Sequence, residues 1–279
     1  MRKTDIVDLL NKDIEGEHAA IIQYLMHAYS MGEGELSCEI EAIAREEMRH
    51  LDFLAETVVE LGGVPSFHRG EMRLAGKDVA SWMKNDVLAE IDAITMYEEH
   101  IKLIADPRIK RLLQRILSDE KSHHGDFQKF VGEAAKEGLK DIRGHKQDKV
   151  TEVLDWGIEH EYTVILQYLL HSYLAPNDHM RKEMQDQAIN EMQHLGWLSE
   201  KMVGRGGRPR IEHSKMSHAA KPSSMLSADI KIEKEVAAKY DAAAKEIADP
   251  KLKKLFTRIR DHELYHVKIF TDLKKTIEE

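Results

Sequence analysis

Four copies of the motif Glu-x-x-His stand in register in this sequence, and each is preceded by a glutamate 30 residues upstream. The motifs are Glu47/His50, Glu120/His123, Glu191/His194 and Glu263/His266, and the upstream glutamates are Glu17, Glu90, Glu161 and Glu233. In an α-helix, residues i and i+3 lie on one face, about 4.5 Å apart along the axis. Each motif can therefore direct a carboxylate and an imidazole at one point. The fold must bring such helix faces together.

The two halves of the chain are copies of one unit. Residues 14–30 match 158–174 at an offset of 144, and 46–65 match 190–209 at the same offset. Beyond a one-residue deletion the offset becomes 143. This period is too long for a solenoid repeat, so it indicates a duplicated domain. Each half then carries one set of four glutamates and two histidines.

Apolar residues at i, i+3, i+4 and i+7 predict four helices in each half. The second helix should end at Gly62-Gly63, and Pro107 should open the fourth. No β-rich segment is present, so we predict an all-α chain of two tandem four-helix bundles. The predicted domains are residues 1–137 and 149–279, with 138–148 as the linker.

Each predicted bundle has a long crossover between its second and third helices. The crossovers correspond to residues 63–78 and 206–225, which are rich in Gly, Ser, Pro and His. Such a composition is typical of loops.

The composition excludes several kinds of site and partner. The single cysteine, Cys38, excludes an internal disulfide and any Cys-x-x-Cys iron–sulfur or rubredoxin module. No apolar run approaches the roughly 20 residues that span a bilayer, and the N-terminus has no signal-peptide core, so we expect a cytoplasmic protein without a membrane partner. The net charge of −9 argues against nucleic acid as a partner.

Two helices with Glu-x-x-His can hold one metal ion each, and glutamates can bridge the two ions. Four carboxylates offset the charge of two divalent ions, which makes a buried acidic cluster tolerable. Carboxylate and imidazole ligands favour iron or manganese, and the lack of thiolates disfavours structural zinc. The first predicted centre is Glu17, Glu47, His50, Glu90, Glu120 and His123, and the second is Glu161, Glu191, His194, Glu233, Glu263 and His266.

Three segments carry a family resemblance. LLNKDIEGEHAAIIQYLMHA is similar to the first helix of bacterioferritins, EEMRH with the downstream LGGVP to the second, and SDEKSHHGDF to the fourth. Both halves resemble bacterioferritin and the wider ferritin-like superfamily, which includes rubrerythrins. The resemblance implies a ferroxidase-type di-iron centre in which Fe(II) is oxidised by O2 or H2O2. Glu47 and Glu120, like Glu191 and Glu263, should act partly as bridges.

Departures from the family refine this expectation. Rubrerythrins carry a further glutamate where Ala93 and Val236 stand, so the bacterioferritin type of centre is favoured. The short fifth helix used in cage packing has no counterpart after His266, so a small homo-oligomer is expected as readily as a cage.

The resemblance also implies that acidic residues before the motifs hydrogen-bond the ligand histidines. Glu46 and Asp119 stand there in the first half, but Asn190 and His262 in the second. Such partners orient histidines and raise their basicity. We therefore expect the second centre to bind metal more weakly or to turn over more slowly.

Four tyrosines and two histidines recur at fixed distances from the ligands. Tyr24, Tyr97, Tyr168 and Tyr240 each follow an upstream glutamate by seven residues. They hydrogen-bond ligands, or supply an electron during oxygen reduction, or simply pack. Tyr24 is assigned to the catalytic set with Glu17, Glu47, Glu90 and Glu120. His27 and His171 lie off the ligand face, which predicts interface packing.

Met48 and Met192 follow ligand glutamates directly. In bacterioferritins the methionine at this position binds haem b across a two-fold interface, so the pair could hold one haem. An ordinary packing methionine is the favoured reading.

Two other functions stay open beside Fe(II) oxidation. A di-iron oxidase or peroxidase acting on another substrate would need an apolar pocket beside the metal. A non-catalytic protein would use the ions mainly to stabilise the bundle.

Overall fold

The computed structural model describes residues 1–137, 148–217 and 219–278, and these ranges contain eight α-helices and no strand. The helices are α1 (Lys3–Met31), α2 (Glu35–Glu60), α3 (Val79–Leu103), α4 (Pro107–Glu137), α5 (Lys149–Tyr173), α6 (Asp178–Gly204), α7 (Pro222–Glu246) and α8 (Pro250–Glu278). The prediction of an all-α chain of two four-helix bundles is confirmed.

The chain divides into two compact units. The first contains α1–α4, and the second contains α5, α7, α8 and most of α6. The predicted linker lies outside the described residues, apart from Asp148, whose side chain caps α5 by accepting from Val150 N and Thr151 N. The division at 137 and 149 therefore stays a proposal.

The fourth helix of each half begins in the same way. Asp106 Oδ1 accepts a hydrogen bond from Arg108 N at 2.8 Å, and Pro107 occupies the first helical position. Asp249 and Pro250 repeat this arrangement at α8, with Lys251 N donating at 2.8 Å. The aspartate satisfies a backbone N–H that the helix leaves free, and proline has none to satisfy.

The crossovers agree only in part with the sequence prediction. The described chain from Gly63 to Asp78 lies outside helices, as expected, and the turn at Gly62 has a φ of 83°. The second crossover was predicted too long, because α7 begins at Pro222 rather than after residue 225. Proline fits the first turn of a helix, where its missing N–H costs nothing.

In the first unit, α1 packs on α2 and α3, and α3 packs on α4. In the second, α7 packs on α8 and on α5. Apolar layers such as Tyr168, Met184 and Phe270 fill the end of the second unit. Midway along each bundle, however, the buried side chains are glutamates and histidines. Within the described residues, no helix is long and apolar enough to cross a membrane.

Candidate metal centres

In the first unit, the structure brings the six predicted ligands into two adjoining groups. Each residue of a group offers one ligand atom, and these atoms lie within 4.8 Å of one another. The groups are Glu17, Glu47, His50 and Glu120, and Glu47, Glu90, Glu120 and His123, all buried. Glu47 and Glu120 belong to both, so the motif glutamates are placed to bridge two ions. Each upstream glutamate, Glu17 or Glu90, belongs to only one of the two groups.

The second unit repeats this arrangement. Its groups are Glu161, Glu191, His194 and Glu263, and Glu191, Glu233, Glu263 and His266, again all buried and within 4.8 Å. Glu191 and Glu263 are the shared carboxylates. The two halves therefore form the same donor set independently.

Each ligand histidine turns Nδ1 toward the carboxylates. His50 Nδ1 lies 2.7 Å from Glu47 Oε2 and 3.0 Å from Glu120 Oε1. His194 Nδ1 lies 2.7 Å from Glu191 Oε2 and 3.2 Å from Glu263 Oε1. Nδ1 is thus the nitrogen that can bind a metal ion, and Nε2 is left for an outer partner.

The donor atoms converge without satisfying one another. In the second centre, His194 Nδ1, His266 Nδ1, Glu263 Oε1 and both oxygens of Glu191 find no hydrogen-bond partner among the described residues. Yet His266 Nδ1 is only 2.7 Å from Glu191 Oε1. Burying an unsatisfied polar group costs about 1–3 kcal/mol. Lone pairs that face one another in this way fit a cation, which accepts all of them.

The first centre also has buried donor atoms without hydrogen-bond partners. Glu47 Oε1, Glu90 Oε2, Glu120 Oε1 and His123 Nδ1 are buried without a hydrogen-bond partner among the described residues. Nitrogen and carboxylate oxygen ligands without sulfur suit iron or manganese. The clusters of both units are thus able to bind metal ions.

The carboxyl groups of the first centre do not share one protonation state. Burial, followed by the charges of Glu120 and Glu47, raises the pKa of Glu17 well above its usual value. Burial would also raise the pKa of Glu47, but the adjacent imidazoles of His123 and His50 outweigh it and hold that pKa at about 2. The pKa values of Glu17 and Glu47 thus move in opposite directions, and burial also raises the pKa of the other shared glutamate, Glu120. An entering cation must displace protons.

Four buried tyrosines donate to the upstream glutamates, crosswise between helices. Tyr24 Oη donates to Glu90 Oε1 at 2.6 Å, and Tyr97 on α3 donates to Glu17 on α1. The second unit repeats both bonds, from Tyr168 to Glu233 and from Tyr240 to Glu161. The hydrogen bonds orient these carboxylates. An electron-donating role of the tyrosines stays a proposal.

The outer partners of the ligand histidines differ between the units. Asp119 Oδ2 lies 3.3 Å from His50 Nε2, and Glu46 Oε2 lies 2.9 Å from His123 Nε2. In the second unit, His194 Nε2 meets His262 Nδ1 at 2.9 Å. Burial, then the positive charge of His194, lowers the pKa of His262. A neutral imidazole there is a weaker acceptor than a carboxylate.

Asn190 takes a different partner, because its Nδ2 donates to Gln187 Oε1 at 3.0 Å. Met48 and Met192 are partly exposed and belong to neither cluster.

His27 and His171 are fully buried, and each lies against an aspartate of its own half: His27 Nδ1 lies 2.9 Å from Asp86, and His171 Nδ1 lies 2.9 Å from Asp229. Their packing at an interface stays a prediction. Sequence reasoning missed these aspartates. Each stands four residues before an upstream glutamate, on the same helix face, and that spacing could have revealed them.

A family model described as "Ferritin-like domain" matches residues 7–136 and again residues 152–279. A bacterioferritin of Desulfovibrio desulfuricans is 33% identical over 128 residues, which cover 44% of this chain and 72% of that protein. A bacterioferritin of Mycobacterium bovis is 29% identical over 126 residues, covering 43% and 79%.

A solved structure of the Desulfovibrio desulfuricans bacterioferritin, described as showing its diiron site in different catalytic states, shares 28% identity. It aligns with a TM-score of 0.46 over 53% of this chain and 95% of that chain.

Proposed function

The chain belongs to the ferritin-like domain family through both of its halves, and on this basis we propose that each half binds two iron ions and oxidises Fe(II) with O2 or H2O2. The supporting observation is the pair of buried clusters, each with four carboxylates and two imidazoles whose lone pairs converge. Iron is preferred over manganese because the similar proteins are bacterioferritins, and the resemblance to that family implies a di-iron centre.

The six residues of each centre have distinct roles in this proposal. Glu17 and His50 hold one ion of the first centre, Glu90 and His123 hold the other, and the remaining two glutamates bridge them. The second centre uses its equivalents, namely Glu161 with His194, Glu233 with His266, and Glu191 and Glu263 as bridges. Bound iron supplies electrons and stabilises the charge that develops on the oxidant.

The surrounding residues hold the ligands and manage protons. Tyr24 donates its hydroxyl proton to Glu90, and Tyr97 does the same for Glu17, so one oxygen of each carboxylate is fixed and the other is left for iron. Asp119 and Glu46 hold the rings of His50 and His123 with Nδ1 inward.

The electrons and protons balance for either oxidant. Two Fe(II) ions supply two electrons, which with two protons convert O2 to H2O2, or H2O2 to two waters. Both outcomes produce two Fe(III) ions for release or storage. The preferred oxidant therefore separates iron storage from peroxide removal.

Rapid mixing tests this proposal. Chain loaded anaerobically with Fe(II) is mixed with O2 and separately with H2O2, and the near-ultraviolet absorbance of Fe(III) is followed. We expect oxidation much faster than that of free Fe(II), and its loss when Glu47→Ala and Glu191→Ala are combined. The exposed pair Glu39→Ala and Glu200→Ala is the matched control. No acceleration with either oxidant would favour the non-catalytic alternative.

Haem binding by Met48 and Met192 is a separate proposal, supported only by the resemblance of the EMRH and EMQH segments. Haemin titration tests it. Haem ligation predicts a Soret band that the two Met→Ala changes abolish, whereas packing methionines give no such dependence. A homo-oligomer is likewise proposed from the resemblance, and sedimentation tests it.

A further inference from the structure

The outward side of α3 carries two large apolar side chains in the middle of the helix. Leu88 is 47% exposed and Ile91 is 42% exposed. They stand three residues apart, so they share one side of the helix, and Thr95 continues the same row. The Thr95 hydroxyl donates to Ile91 O at 2.8 Å, so its own helix already satisfies it. Exposed apolar side chains that lie together often mark an interaction surface.

A groove of about 330 Å³ lies beside this row, between α3 and α4. Val87 and Leu88 line it from α3, and Val131 lines it from α4. Leu88 belongs to both the row and the groove, so the two form one continuous apolar surface. We call this surface the α3 face, and its members are Val87, Leu88, Ile91, Thr95 and Val131.

The second unit does not repeat the apolar character of the α3 face. At the offset of 143 that relates the two halves here, three of its residues are replaced by lysines, namely Leu88 by Lys231, Ile91 by Lys234 and Val131 by Lys274. The second unit forms the same helices with these lysines in place. The bundle therefore does not require an apolar α3 face, and a contact outside the chain explains it better.

The two ends of the exposed row carry opposite charges. Lys84 stands four residues before Leu88, and Glu99 stands four residues after Thr95. Both side chains are exposed, and neither forms an ion pair within the part of the chain that the structure describes. The row thus reads positive, apolar, negative along the helix.

The other acidic groups close to this row are already paired. Asp92, next to Ile91, lies 2.5 Å from Arg73. Glu98 lies 2.9 Å from Lys121. These pairs add no net charge to the row, so the α3 face is bounded by one unpaired cation and one unpaired anion.

We propose that the α3 face binds the same face of a second copy of this chain, with the two α3 helices antiparallel about a two-fold axis near Ile91. Such an axis places each end of one helix against the opposite end of the other. Lys84 of each copy then meets Glu99 of the partner copy, and the apolar row lies between the two ion pairs. The pattern complements itself, which favours a second copy over an unrelated partner.

The lengths allow both ion pairs at once. Lys84 and Glu99 are 15 residues apart, which is about 22 Å of helix. Antiparallel helices that cross at about 20° stay close over this length. Because the same surface is used by both copies, the contact closes at two chains. The second unit cannot form it, since Lys231 and Lys234 would face lysines of the partner copy. The contact is independent of metal binding and of Fe(II) oxidation.

Sedimentation of the full chain at increasing protein concentration tests this contact. We expect the parent to form dimers, and the combined Leu88→Lys and Ile91→Lys changes, which copy the second unit, to abolish them. Val59→Lys combined with Val64→Lys is the matched control, because both valines are exposed in the first unit outside the α3 face. This control should associate like the parent.

Charge reversal tests the antiparallel arrangement. Lys84→Glu alone, or Glu99→Lys alone, sets like charges against each other at two places in the dimer. We expect each to raise the dissociation constant at least about tenfold, because facing like charges are strongly unfavourable. The double reversal restores opposite charges and should restore association.

Three results would overturn the proposal. They are a parent that stays a single chain at every concentration, an association that the two lysines at 88 and 91 leave unchanged, and a double reversal no better than the single ones. A different protein or a small apolar ligand on the α3 face would give the first of these results.

Discussion

His50 and His194 occupy equivalent ligand positions, but their outer nitrogens meet different groups. His50 Nε2 faces the carboxylate of Asp119 at 3.3 Å, whereas His194 Nε2 faces the imidazole of His262 at 2.9 Å. A carboxylate partner raises the basicity of a ligand imidazole, and a neutral ring does so less. The outer partners thus differ between the two centres at Asp119 and His262, and differ again at Glu46 and Asn190.

Exchanging these outer partners should reverse the difference in metal affinity between the two centres. We expect Asp119→His to weaken metal binding at the first centre about tenfold, the lower end of the range for such partners. His262→Asp should strengthen the second centre by a similar factor. Competition with a chelator for Co(II) measures both. Unchanged affinity in both variants would mean that the outer partner does not tune these sites.

Tyr24 supplies the hydrogen bond that fixes Glu90 Oε1. In Tyr24→Phe, that buried oxygen loses its donor, so we expect a stability loss of about 1–3 kcal/mol without metal and slower Fe(II) oxidation. Chemical denaturation and rapid mixing measure the two effects. The exposed Tyr265→Phe is the control, and a Tyr24 variant that behaves like it would contradict the assigned role.

At the scale of the helix, spacing identified the ligands but not their partners. Positions three or four residues apart fix which side chains share a face, and this was enough to select the six proposed ligands of each centre, which the structure brings together. The pairing of Tyr97 with Glu17, or of Asp13 with His100, depends on how α1 and α3 are aligned. Helical spacing carries no such information, so these pairs became visible only in the structure.

Gln23 and Gln167 connect the crossover loops to buried aspartates on α3 and α7. Gln23 accepts from Arg73 N at 2.5 Å and donates to Asp86 at 2.7 Å. Gln167 accepts from Ser217 N at 2.7 Å and donates to Asp229 at 2.7 Å. One buried amide in each unit thus joins a loop, a helix and the His–Asp pair.

Removing that amide should loosen the loop more than the metal centre. For Gln23→Ala we expect faster backbone hydrogen exchange around Arg73, because its N–H loses its acceptor, with two ions still bound by the first unit. Exchange mass spectrometry and Co(II) titration provide the readouts. Gln128→Ala, on the exposed face of α4, is the control. Exchange at the parent rate would show that Gln23 does not secure the crossover.

Across the whole molecule, metal loading and pH should be coupled. Burial, only partly offset by the nearby imidazole of His194, raises the pKa of Glu161 to about 8, compared with 4.5 in an unfolded chain. Burial would lower the pKa of His123, but the adjacent Glu47 carboxylate, 2.9 Å from its Nδ1, raises it to about 9, compared with 6.5. The metal-free fold therefore binds more protons than the unfolded chain between about pH 5 and 9.

It follows that metal-free protein loses stability as pH rises through this window, since stability falls with pH wherever the folded state binds more protons. In the metal-loaded protein, the metal ions replace those protons, so this pH-dependent loss of stability disappears. We expect the Tm difference between loaded and metal-free chain to widen from pH 5 to 9. Thermal melts with and without Co(II) measure it. A constant or narrowing difference would contradict the assigned protonation states.

The duplication makes one chain carry two centres that can be counted separately. Anaerobic titration of metal-free chain with Fe(II), with an independent iron determination at saturation, tests the central claim most directly. We expect four ions per chain, falling to two when Glu47→Ala and Glu120→Ala are combined and to two when Glu191→Ala and Glu263→Ala are combined. No saturable binding, or four ions retained in both double variants, would contradict it.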